Sequence, residues 1–89
     1  MVLEHPQTPE QVLGRYLRNL RFNRGWTTVE LANRSGVARS SLSNIERGPG
    51  NQGISVKTLC KLARAFDMSP GEILEKSGYL ELFKYQRVY

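Results

Sequence analysis

The chain has 89 residues, a formal net charge of +5 and one cysteine, Cys60. That length allows one small domain with a modest core and no deep substrate cavity, and the apolar runs fall short of the roughly 18 residues a membrane span needs. A lone cysteine excludes an internal disulfide framework and a multi-cysteine metal site, and with no basic-then-apolar leader pattern the chain reads as cytoplasmic.

Residues 1–7 read as a loose tail, and His5 within it has no clustered partner for metal binding. Thr8-Pro9-Glu10-Gln11 is a capping box with proline at the first helical position. It opens a helix whose apolar residues Leu13, Tyr16, Leu17 and Leu20 follow helical spacing, and Gly25 ends it. Thr27-Thr28-Val29-Glu30 is a second box, with Trp26 and Leu31 placed as a hydrophobic staple. That helix stops at Ser35-Gly36, where glycine takes the left-handed conformation readily.

A third helix is expected from near Ala38 to Gly48, with Val37 and Leu42 as its staple. Alanine is a poor cap because it offers no oxygen to the free amides. Pro49-Gly50-Asn51-Gln52-Gly53 is a loop. Ser55 caps a fourth helix with Ile54 and Leu59 as its staple, and Leu59, Leu62, Ala63 and Phe66 form the inner stripe. Cys60, beside that stripe, is expected as a small buried thiol. Ser69-Pro70-Gly71-Glu72 is another capping box, stapled by Met68 and Ile73, for a fifth short helix ending near Gly78. No β alternation precedes Tyr79, so the fold class is all-α with five helices.

Residues 79–89 hold Tyr79, Phe83, Tyr85 and Tyr89, four of the eight aromatic residues. Their spacing suits a strand or a helix equally. So much aromatic surface is rarely left in water on a small domain. This aromatic-rich extension is therefore expected to fold back on the core, to pair with a second subunit as a dimerisation segment, or to continue into a further region.

Positive charge is concentrated between residues 12 and 64. Ten basic residues (Arg15, Arg18, Arg21, Arg24, Arg34, Arg39, Arg47, Lys57, Lys61 and Arg64) face only Glu30 and Glu46 there. Such a distribution fits a polyanion binder, although a solvated face on a basic protein would look similar. The third helix adds a sharper signal. Arg39, Ser40, Ser41, Ser43 and Asn44 lie away from the apolar pair Leu42 and Ile45. Short polar side chains and an arginine on one helix face suit the donors and acceptors of base edges in the major groove.

The ordered set Leu13-Gly14, Leu17, Leu20-Arg21, Trp26-Thr27, Glu30-Leu31-Ala32, Ser35-Gly36-Val37 and Ile45-Glu46-Arg47-Gly48 resembles the lambda-repressor/Cro (Xre-type) helix-turn-helix family. Ser55, Thr58-Leu59, Leu62-Ala63 and Phe66 continue the match. The resemblance spans roughly Val12 to Ser77, within a domain read as residues 8–78, and implies a compact five-helix fold that binds operator DNA, commonly as a symmetric dimer, and regulates transcription. It places Thr27 and Thr28 near a phosphate, and Arg39, Ser40, Ser41, Ser43 and Asn44 at bases or adjacent phosphates. It also pairs Arg21 with Glu46. Two departures stand out: Thr28 occupies a position where glutamine is common, and Ala38 replaces the usual serine or threonine cap.

Arg39 is placed for a forked contact to guanine, and Asn44 for adenine or a phosphate. Arg47, Asn51 and Gln52 bracket the following loop as phosphate candidates. Each has a plainer alternative: a solvated arginine, surface serines, or an asparagine bonded to its own backbone. No nucleophile, base and orienting group can be assembled, which argues against an enzyme. No cofactor, metal or small-molecule ligand is implied. The expected partners are double-stranded DNA with a palindromic operator and a second copy of the chain, because one helix reads too few base pairs for genomic specificity. The competing reading is an antitoxin-type module whose C-terminal segment binds a partner protein. Single-stranded RNA binding is disfavoured, since the basic segment lacks an aromatic stacking platform.

Overall fold

The computed structural model describes residues 7–47 and 53–85. Among these described residues six α-helices follow one another: α1 Pro9–Asn23, α2 Thr28–Ser35, α3 Arg39–Arg47, α4 Val56–Ala65, α5 Pro70–Ser77 and α6 Tyr79–Tyr85. The first five follow the sequence expectation. The sixth gives residues 79–85 of the aromatic extension a helical form, one helix more than expected among the described residues, while residues 86–89 lie outside them.

Helix starts are fixed by the expected caps. Thr8 accepts the Gln11 amide at 3.1 Å while Gln11 accepts the Thr8 amide at 3.1 Å. Thr27 and Glu30 make the same reciprocal pair at 3.1 and 3.0 Å. Ser55 takes the Thr58 amide, and Ser69 takes the Glu72 amide. The third box, at Ser69, is only half closed. The Glu72 carboxylate is engaged chiefly by Lys76, 3.0 Å away and one turn on, which lowers the pKa of Glu72 and raises that of Lys76. An opposite charge at i+4 outcompetes a single amide for that carboxylate.

Helix ends use left-handed residues. Gly25 and Gly36 terminate α1 and α2 with positive φ. After α4 the same place is held by Asp67, at φ 58°. There the Met68 amide reaches the Ala63 carbonyl and the Asp67 amide that of Arg64. This is the bond pattern that glycine ordinarily completes without a Cβ penalty.

Leu13, Leu17, Leu31, Val37, Leu42, Ile45, Leu59, Leu62, Ala63, Phe66 and Ile73 form one buried cluster. Trp26 does more than staple α2. Its ring stacks on Phe66 with centroids 5.5 Å apart, and the Arg34 guanidinium lies 4.4 Å from its centroid. Arg24 lies over both rings and donates to the Phe66 carbonyl at 2.8 Å. Cys60 corrects an expectation: its side chain is exposed, not buried. It sits about 100° round α4 from Leu59, which is far enough to leave the inner stripe for the surface.

Candidate nucleic-acid interface

Everything about α3 depends on how it is seated. Val37, Leu42 and Ile45 are buried, and they fix the helix against α1 and α2. The turn before it is held by Ser35, which the sequence marked only as the place where the second helix stops. Ser35 is buried, donates from its hydroxyl to the Leu31 carbonyl at 2.7 Å and accepts the Val37 amide at 3.1 Å. With Gly36 at φ 79° beside it, the chain reverses with its polar groups satisfied. Ala38 supplies its carbonyl to the Leu42 amide, so α3 begins one residue later than the sequence suggested, without a side-chain cap.

The far end of α3 is clamped to α1. Arg21 donates from Nη2 to Glu46 Oε1 at 2.8 Å and from Nε to Oε2 at 3.0 Å. Its remaining arm donates to the Trp26 carbonyl at 2.9 Å. The two side chains keep only 10% and 8% of their surface exposed. The hydrogen bond to Glu46 raises the Arg21 pKa above its ordinary value, against the opposing effect of burial. This fork ties the last turn of the third helix to the last turns of the first. It is a buried contact, not a surface pair of small consequence.

What remains of α3 is bare. Arg39, Ser40, Ser41, Ser43, Asn44 and Arg47 are all exposed. The structure divides them. Arg39, Ser40, Ser43, Asn44 and Arg47 line one shallow concavity. Ser41 turns to its neighbour, a second concavity shared with Asn44, Ile54, Ser55 and Thr58. Asn44 belongs to both. Ser55 and Thr58 are thereby added to the polar surface beside α3, with the Ser55 hydroxyl donating to Thr58 at 3.0 Å. Sequence reasoning gave Ser55 only a capping role. Nothing short of the packing of α4 on the domain could have placed it there.

At the start of α2, Thr27 is exposed and Thr28 is half-buried. The Thr27 amide is already taken by the Glu30 carboxylate. The amides of Thr28 and Val29 have no hydrogen-bond partner among the described residues. Free amides and the positive end of the helix dipole are suited to an anion. Asn51 and Gln52, the other two phosphate candidates, lie outside the described residues.

Residues 12–75 match the family described as "Helix-turn-helix domain". Among characterised proteins, the chain is 44% identical over 61 residues to the competence pilus inhibition repressor of Acinetobacter baylyi. That match covers 68% of this chain and 54% of the repressor, so the chain spans about half the length of that relative. The restriction-modification controller protein C.AhdI of Aeromonas hydrophila is 35% identical with a TM-score of 0.63, over 73% of this chain and 94% of that one. The clp gene regulator ClgR of C. glutamicum is 30% identical with a TM-score of 0.72, over 84% and 95% of the two chains.

Proposed function

The chain belongs to the helix-turn-helix family, in its lambda-repressor-like branch, and from that footing we propose that it is a sequence-specific double-stranded DNA-binding protein that regulates transcription as a repressor or controller. One observation carries the reading: Leu42 and Ile45 are buried while every polar residue between Arg39 and Asn44 is exposed on the same short helix. A rod held rigidly from one side, with donors and acceptors bare on the other, can enter the major groove without rearranging. The matched proteins are a repressor, a controller and a gene regulator, which favours this role over partner masking and over catalysis.

Within this reading, Arg39, Ser40, Ser43 and Asn44 meet base edges, with Ser41 at the side of the groove. Thr27 and Thr28 meet a phosphate at the start of α2, the amides of Thr28 and Val29 giving the main bonds. Arg47 holds a phosphate beyond the end of α3. Binding needs no cofactor. Among the described residues no helix is long and apolar enough to cross a membrane, and action on cytoplasmic DNA fits the whole.

Specificity calls for a homodimer with its two reading helices about 34 Å apart on a palindromic operator. The face for that contact is α6. Tyr79 folds back, its hydroxyl donating to Glu10 at 3.3 Å, and stacks on Phe83 at 6.1 Å. Leu80 and Phe83 remain 48% and 50% exposed, and apolar groups one turn apart make a stripe that a second copy can cover. Selection of bound duplexes from a random pool tests the role. A two-fold symmetric consensus supports it, and recovery of unrelated sequences overturns it.

A further inference from the structure

Resting on the DNA-reading role above, we propose that Arg47 is a positioning residue for Asn44, and that the pair selects guanine over adenine at the base pair Asn44 meets. The two stand one turn apart on α3, where helix side chains are neighbours. Arg47 Nη2 donates to Asn44 Oδ1 at 3.3 Å. A guanidinium carries donors only, so the amide is obliged to turn its oxygen toward Arg47 and its amine away. That amine has no hydrogen-bond partner among the described residues. The adjacent carboxylate of Glu46 is committed to Arg21 and does not draw Arg47 away from Asn44.

The consequence lies in what the groove must offer. Adenine is read by an amide that accepts from N6 and donates to N7 together. Here the oxygen is shared with a cation, so adenine N6 would compete with Arg47 for it. Guanine presents two acceptors, O6 and N7, and either suits the Asn44 amine that Arg47 holds turned away from itself. Asn44 sits where the two concavities of α3 adjoin, a central place from which a fixed amide orientation would be felt. Arg47 therefore has a duty beyond neutralising a phosphate, and it acts through Asn44.

The test uses the full chain and a set of operator duplexes that differ only at the base pair whose preference disappears in Asn44→Ala. Fluorescence anisotropy at fixed salt gives the guanine-to-adenine affinity ratio, expected at about tenfold for the natural chain. Arg47→Ala should bring that ratio close to one, and the double variant should match Asn44→Ala there. Both side chains are exposed, so the variants keep the fold. In the free protein, the Asn44 side-chain amide signals should shift in Arg47→Ala by more than those of Asn19, Asn23 and Asn33. A uniform loss of affinity with the ratio intact, a natural chain that prefers adenine, or unmoved Asn44 signals would each overturn the pairing while leaving DNA binding in place. Equal binding of every duplex by the natural chain would remove the DNA-reading role itself.

Discussion

Glu46→Ala should be among the costliest single substitutions outside the apolar core. It strips Arg21 of both arms of its fork, at 2.8 and 3.0 Å, and leaves the guanidinium with the Trp26 carbonyl and the face of the Phe22 ring. Arg21 is 10% exposed, so water cannot readily replace the lost carboxylate. Breaking a buried pair from one side costs about 3–5 kcal/mol. The surviving Trp26 bond places this case near about 3 kcal/mol, out of a total of about 5–13 kcal/mol for a domain this size. At roughly 4–8 °C per kcal/mol, the melting temperature should fall by roughly 12–24 °C.

Circular dichroism at a helix band, followed against temperature and urea, gives both numbers. The companion variant Arg21→Met with Glu46→Leu should recover most of the loss, since an apolar pair avoids the desolvation of two charges. It would also show whether the fork matters to α3 chiefly by placement, because a refolded but displaced α3 would bind duplex DNA poorly. A cost below about 1 kcal/mol for Glu46→Ala would mean the fork behaves as an exposed pair, and the clamping role of Arg21 would be wrong.

Arg39→Ala should leave the melting temperature unchanged, because the residue is exposed. It should cost about 1–3 kcal/mol on cognate duplex and relax preference at one position, and equal loss on random duplex in a competition titration would deny it a base. Asp67→Gly should stabilise the fold by about 0.5–1 kcal/mol by removing a Cβ from a left-handed site; a lowered urea midpoint would count against the strain. Leu80→Glu with Phe83→Glu should turn a dimer into a monomer by light scattering, and an unchanged mass would free α6 from that role. Burial, with the Glu10 carboxylate nearby, raises the Tyr79 pKa above its usual value. The folded state therefore holds that proton more tightly than the unfolded state, and the associated stability is present below about pH 10 and lost as pH rises through the folded value. Tyr79→Phe should flatten this alkaline decline in urea midpoints, and parallel curves for the two proteins would contradict it.

The helices were legible because their boundaries are local. Thr8, Thr27, Ser55 and Ser69 are caps that work within four residues, and the stripe from Leu59 to Phe66 follows helical spacing. What escaped reading was set by distance or competition. Glu72 chose Lys76 over its cap, a contest between two nearby partners of different charge. Cys60 follows buried Leu59 in sequence but lies about 100° round the helix from it. The extension from Tyr79 onward gave no decisive period. The helical form of residues 79–85 comes with a device repeated from Ser35: Ser77 donates to the Leu74 carbonyl and accepts the Tyr79 amide across Gly78. The division of the α3 face was invisible for another reason. Ser41 is parted from Ser40 and Ser43 only when the start of α4 arrives beside it, and no spacing rule within nine residues contains that neighbour.

A crystal structure of the chain on a selected duplex would decide the matter most directly. It should show α3 in the major groove, with Arg39 and Asn44 in hydrogen-bond reach of base edges and the Thr28 and Val29 amides on a phosphate. Base edges held by some other face, or an α3 that touches no base, would contradict it.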